Sequence, residues 1–243
     1  MVSNVHAGTL RLFQVHRDPD WSSVQAALRR REGLSLCSRA AVVAAMLLLL
    51  AACGGGQPRT SRAPVAPYQL SGPVCLRALA AQGITVGPWV GGTTTCPVDT
   101  PVLATSGILA RFSSPLKTSC AMLLAWSEFE FDIDRAARTI MHSRVVAVRH
   151  FGSFACRRMT GNGTRQSLHA QARALDVAGF QLADGRVVSV ESGWNGSRDE
   201  QRFLRAVAKA ACKHFSVTLT PDSDSDHLNH LHVDIGPWRL CGL

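Results

Sequence analysis

The chain has 243 residues, 46 % of them apolar and 6 % aromatic, and a net charge of +9. That apolar share supplies a folded core and argues against disorder. The basic residues are dispersed and not interleaved with Tyr or Phe, which excludes a nucleic-acid groove, and the lack of internal repeats excludes a solenoid or a repetitive wall glycoprotein.

Residues 40–52 form an apolar run preceded by Arg29, Arg30, Arg31 and Arg39. The run is too short to span a bilayer comfortably but suits the core of a secretory signal, so residues 1–52 read as a signal peptide. Its n-region is long, and a true start near Arg29 is the alternative. The run ends in Leu50-Ala51-Ala52-Cys53, which resembles a bacterial lipobox, with Gly54-Gly55-Gly56 following. The resemblance implies cleavage before Cys53, lipid on its sulfur and anchorage in the envelope. Gly54 in place of Asp implies the outer membrane, facing the periplasm, in a host with two membranes. Residues 53–73 are rich in Gly, Pro and small polar side chains and read as a flexible tether. The basic balance suits attraction to anionic envelope polymers such as peptidoglycan.

From residue 74 to 243 the pattern is that of one α+β domain, an antiparallel sheet with flanking helices. A short helix is expected over 76–82, ended by Gly83. A long one is expected over 116–141, whole or broken near Asp132. The β-branched run 144–149 predicts a strand, with 152–157 as its continuation after a bend. Strands over 174–182 and 187–192 flank Ala183-Asp184-Gly185, a hairpin signal. A helix over 199–215 places Phe203, Leu204, Val207, Ala210 and Ala211 on one face. Strands at 216–220 and 232–235 complete the sheet.

Beyond Cys37 in the leader and Cys53, six cysteines remain: Cys75, Cys96, Cys120, Cys156, Cys212 and Cys241. An even number in an exported chain, with no CxxC, predicts up to three disulfides rather than a cysteine-zinc or redox motif. Pairing of nearest neighbours gives Cys75–Cys96, Cys120–Cys156 and Cys212–Cys241.

Two segments carry chemistry, Ser167-Leu-His-Ala-Gln-Ala-Arg-Ala-Leu-Asp176 and His227-Leu-Asn-His-Leu-His232. On a strand, Ala174, Asp176 and Ala178 share one face while Leu175 and Val177 take the other. A carboxylate flanked by alanines needs a cation or hydrogen-bond donors to offset its desolvation. His230 and His232 likewise share a face, with Leu231 packing inward. His169, Asp176 and His232 are therefore candidate ligands of one zinc ion with an open position, and His230 a non-ligand that assists. Ser167 reads as a turn cap, Trp194 and Trp238 as core or rim packing, and Asp234 as structural. Arg157 and Arg165 are candidate grips for a substrate carboxylate or solvated surface residues.

The first segment resembles the SxHxxGxAxD motif of the metallopeptidases that include D-Ala-D-Ala and L-Ala-D-Glu peptidases, lysostaphin and hedgehog. More closely, residues 75–241 resemble the bacterial extensin-like C-terminal domain. The shared features are Cys156-Arg157, Asp184-Gly185-Arg186, Trp194, Phe203-Leu204, Ala211-Cys212 and the His-x-His-x-Asp of 230–234. The resemblance implies a D-Ala-D-Ala-peptidase/hedgehog-like fold, zinc held by His169, Asp176 and His232, and hydrolysis of peptidoglycan peptides. It also implies a second histidine, His230, that stabilises an oxyanion or moves a proton. Relatives often place an acid three residues before the last histidine, where this chain has Asn229; Asp226 and His230 are the alternative bases. Ala172 replaces the motif's glycine, which requires a backbone without positive φ there. A non-catalytic wall-binding lipoprotein that keeps the scaffold is the competing reading.

Overall fold

The computed structural model describes residues 70–159 and 162–243. The stretch read as a signal peptide, Cys53 and nearly all of the stretch read as a tether lie outside the described residues. Helix α1 (Gly72–Ala81) begins two residues inside the stretch read as tether, with Pro73 in its first turn, where a missing N–H costs nothing. No helix among the described residues is long and apolar enough to cross a membrane.

Strands β1 (Val86–Pro88), β2 (Pro101–Ser106) and β3 (Arg111–Ser119) follow, then helix α2 (Cys120–Ala136). The predicted helix over 116–141 therefore starts four residues late. Residues 116–119 finish a strand, and Ser119 caps the helix by accepting from the Met122 N–H at 3.3 Å. The helix does not break at Asp132; it widens into a π turn at Ala137–Met141. Strand β4 (Val145–Gly152) stops at Gly152 instead of continuing to 157. Next come the small hairpin β5 (Arg158–Met159) and β6 (Asn162–Gln166), and a 3₁₀ turn at Leu168–Gln171. The rest comprises β7 (Ala174–Leu182), β8 (Val187–Ser189), a single helical turn α3 (Val190–Gly193), α4 (Arg198–His214), β9 (Val217–Leu219), β10 (Leu231–Asp234) and β11 (Leu240–Cys241).

The sheet runs β1-β2-β3-β4-β7-β10-β9-β11, with β8 also paired to β7. It is mixed rather than antiparallel throughout: β3 pairs β4 and β9 pairs β11 in parallel. The intervening α2 makes the β3–β4 crossover possible, since parallel neighbours need a long connection.

Apolar positions of β7 and β10 (Leu175, Val177, Leu231, Val233) are buried in one core with Trp126 and Phe129 of α2 and Phe203, Leu204 and Val207 of α4. Helix α4 is fixed at its start by a capping box, with Ser197 and Glu200 satisfying each other's backbone N–H groups. Under α2, the buried Glu130 carboxylate accepts from the Ile108 and Leu109 N–H groups and from Trp126 Nε1 at 2.6, 2.9 and 2.9 Å. It thereby ties the β2–β3 turn to the helix. Gly107 is required there, because a Cβ would lie 2.2 Å from Glu130 Oε1.

Three disulfides staple the domain: Cys75–Cys120, Cys96–Cys156 and Cys212–Cys241. All six cysteines are used, but nearest-neighbour pairing holds only for the last. Cys75 and Cys120 face each other across the α1–α2 contact, and Cys96 reaches the segment after β4. Proximity in space, set by packing, overrides proximity in sequence.

Candidate metal centre

Strands β7 and β10 pair antiparallel with His232 directly opposite Asp176. Pleat alternation then puts both side chains, with Asp234, on the face away from the helical core. His169 arrives from the 3₁₀ turn. Ser167 caps that turn, its Oγ accepting from the His169 N–H at 3.3 Å, and Ala172 closes it in the left-handed conformation, φ 52° and ψ 36°. The backbone thus does require positive φ at residue 172, and alanine bears it. Ala172 is fully buried, and its carbonyl accepts from the Ser119 N–H at 3.1 Å, so surrounding structure enforces the strained geometry.

The three side chains converge. His232 Nδ1 lies 2.9 Å from Asp176 Oδ1, and His169 Nε2 lies 3.1 Å from that oxygen and 3.2 Å from His232 Nδ1. The outer ring nitrogens are anchored elsewhere: His169 Nδ1 donates to the Ser153 carbonyl at 3.0 Å, and His232 Nε2 to Asp234 Oδ2 at 3.4 Å. These partners assign the tautomers, leaving two imidazole lone pairs and a carboxylate aimed at one point. Backing of this kind orients histidine ligands and raises their basicity. A zinc ion ~2.0–2.2 Å from each atom requires ligand separations of about 3.3–3.5 Å in a tetrahedral site, so the cage widens by only a few tenths of an ångström to accept one. The donor set and its spacing fit zinc.

The same contacts set the protonation of the cluster. Burial pulls the His232 pKa down, but hydrogen bonds and charge from Asp176 and Asp234 outweigh it and raise the value to about 9. Burial also opposes charge on Asp176; hydrogen bonds from His169 and His232 prevail, and its carboxyl is held far below the usual carboxylate range.

His230 stands beside the trio, Nε2 3.4 Å from Asp176 Oδ1. Its Nδ1 donates to Asn229 Oδ1 at 2.8 Å, so Asn229 positions the ring. Burial, reinforced by the neighbouring histidines against the pull of Asp176, lowers the His230 pKa. Asp226 lines the same cleft on an exposed 3₁₀ turn (Ser225–His227). Three contributors escaped sequence reasoning as site residues. Ser153 acts through its backbone carbonyl, which no side-chain pattern announces. Asp234 backs His232 as well as receiving the Gly236 N–H at 2.9 Å. His227 donates to Asp224 Oδ1, and its ring sits 5.1 Å from His230 and 5.7 Å from His232. The alternating Asp222, Asp224 and Asp226 just before His227 were the available signal.

The centre opens into a cleft of about 820 Å³ between the β5–β6 hairpin and the C-terminal segment, a size typical of ligand sites. Arg157, Arg165 and the half-exposed Trp238 lie on its lining. Trp194 is buried, as expected, and donates Nε1–H to Asp222 Oδ1 at 2.8 Å.

Fold and site together define a disulfide-stapled, mixed α+β domain carrying a candidate His/Asp/His metal centre. The chain belongs to the family described as extensin-like protein C-terminus, which matches residues 74–242. No curated protein and no solved structure matches it.

Proposed function

We propose that the protein is a zinc-dependent hydrolase of peptide or amide bonds in peptidoglycan, exported and anchored in the envelope by lipid on Cys53. The observation that carries this reading is the convergence of His169 Nε2, Asp176 Oδ1 and His232 Nδ1 with both distal ring nitrogens already bonded. Three protein ligands with a fourth side open to a cleft are the hallmark of hydrolytic rather than structural zinc. The likeness of residues 167–176 to the metallopeptidase motif, and through it to a D-Ala-D-Ala-peptidase/hedgehog-like fold, supports the same class. The lipobox and basic charge support the location.

Zinc in such a site polarises a carbonyl and acidifies water. His230, neutral at pH 7 and held by Asn229, is placed to donate to or accept from a group reacting on the cleft side. Asp226 on the rim is the second proton acceptor. Asn229 itself cannot take a proton, which favours the competing reading of a wall-binding lipoprotein that uses the same scaffold without turnover. Incubation of sacculi with the purified chain and with His169→Ala separates the two. Release of soluble muropeptides by wild type alone supports hydrolysis; zinc-loaded protein that binds sacculi and releases nothing refutes it.

A further inference from the structure

Arg157, Arg165 and Arg239 all line the cleft that holds the metal ligands, and they come from separate parts of the chain. Arg157 immediately precedes β5 and Arg165 lies on β6, and the base of this hairpin is tied by the Ser167 N–H to the Arg157 carbonyl at 3.1 Å. Arg239 belongs to the opposite wall, the C-terminal segment pinned by Cys212–Cys241. Across the gap the Arg165 guanidinium lies 4.6 Å from the centroid of the Trp238 ring. Stacking of this kind fixes the plane of a guanidinium and leaves its N–H edge free to donate.

Among the described residues none of these three arginines forms an ion pair, whereas most acids of the cleft are engaged. Asp176 bonds His169 and His232, Asp224 bonds His227, and Asp234 bonds His232. Among the described residues the lining therefore offers three guanidinium groups that no carboxylate holds, and Asp226 is the one acid of that lining without an ion-pair partner. Met159, Trp238 and Leu240 stand 42, 50 and 56 % exposed on the same lining. A cleft mixing free forks with exposed apolar side chains suits an anion that carries apolar groups. A planar carboxylate meets a guanidinium by two parallel hydrogen bonds, and a short peptide supplies the apolar part. A polyphosphate would leave the apolar wall uncovered.

We propose that this cleft selects its substrate by a free carboxylate of a peptide, gripped by the guanidinium groups around Trp238 while the adjacent bond faces the metal ligands. The proposal deepens the hydrolase reading and rests on it for the word substrate, but binding tests it separately. Disaccharide-peptides from sacculi are prepared with their carboxylates free or converted to methylamides. Their affinities for the purified full-length chain are measured by calorimetry, with inorganic phosphate as a competitor. Loss of charge-assisted hydrogen bonds of this kind weakens binding about tenfold or more. The free-acid peptides should therefore bind about tenfold more tightly than the amides. Arg165→Gln and Arg239→Gln should each remove most of that difference while leaving zinc content unchanged. Equal affinity for both forms, or discrimination that survives both substitutions, overturns the proposal. So does phosphate that displaces the peptides at equal concentration, since the forks would then be phosphate sites. Free-acid peptides that bind selectively but stay intact would refute the hydrolysis and leave this recognition standing. Cleavage indifferent to amidation would do the reverse.

Discussion

Entry of zinc into this site is expected to expel the proton on His232. The imidazole has an ordinary value of 6.5 and a value of about 9 beside Asp176 and Asp234. The sign follows from which form each partner favours. A raised histidine stabilises the metal-free fold fully below pH 6.5, and that contribution is lost as pH rises through about 9. Zinc needs the bare Nδ1, so it competes with this proton throughout that window. Its apparent affinity should rise about tenfold per pH unit, hence ~30-fold between pH 7 and 8.5, or about 2 kcal/mol. An unperturbed histidine site would already have levelled off there. Competition against a chromophoric chelator at buffered free zinc measures the slope. Calorimetry in buffers of different ionisation heat counts the proton released, expected to be close to one. Affinity flat between pH 7 and 8.5, with no proton released, would refute the shared-proton account.

Three further outcomes follow from the packing. Ala172→Gly relieves a left-handed alanine, about 1–2 kcal/mol, and gives up a buried methyl and chain stiffness of similar size. Urea unfolding should therefore move by less than about 1 kcal/mol, whereas Ala172→Val should cost several. Replacing both Cys75 and Cys120 by Ser opens a link across 45 residues, which costs about 4 kcal/mol and roughly 10 °C in Tm by scanning calorimetry. Glu130→Gln leaves one of the three donors around that carboxylate facing an amide N–H₂, a loss of ~1–3 kcal/mol in denaturant titration. Burial raises the Glu130 pKa above 4.5 despite those hydrogen bonds. Wild type should therefore lose stability as pH climbs from 4.5 through the raised value, and the variant should lack that component.

The candidate metal cluster was legible because its signal is local and geometric. Period-two alternation put Asp176 among alanines and His230 with His232; β7 and β10 keep it for the facing pair Asp176 and His232, while His230 lies just before β10 begins at Leu231. The long amphipathic α4 and the hairpin around Asp184-Gly185 followed from the same rules. What escaped depended on packing between distant segments. Leu116 falls at helical spacing with the apolar positions of α2, which drew the predicted start too early, although Ser119 supplies the cap that marks the true one. The parallel pairing of β3 with β4, and the partners of Cys75, Cys96, Cys120 and Cys156, are set by how the helices lie on the sheet. Ala172 shows the converse: this position has no glycine, yet its burial and the bond from Ser119 hold the left-handed turn that aims His169. The carbonyl of Ser153 left no trace in the sequence at all.

A zinc-edge anomalous difference map from crystals of the zinc-loaded protein bears most directly on the centre. One peak is expected, ~2.0–2.2 Å from His169 Nε2, Asp176 Oδ1 and His232 Nδ1, with stoichiometric zinc in solution that His169→Ala abolishes. Protein that stays zinc-free after incubation and desalting, or an ion held by other side chains, would contradict the account.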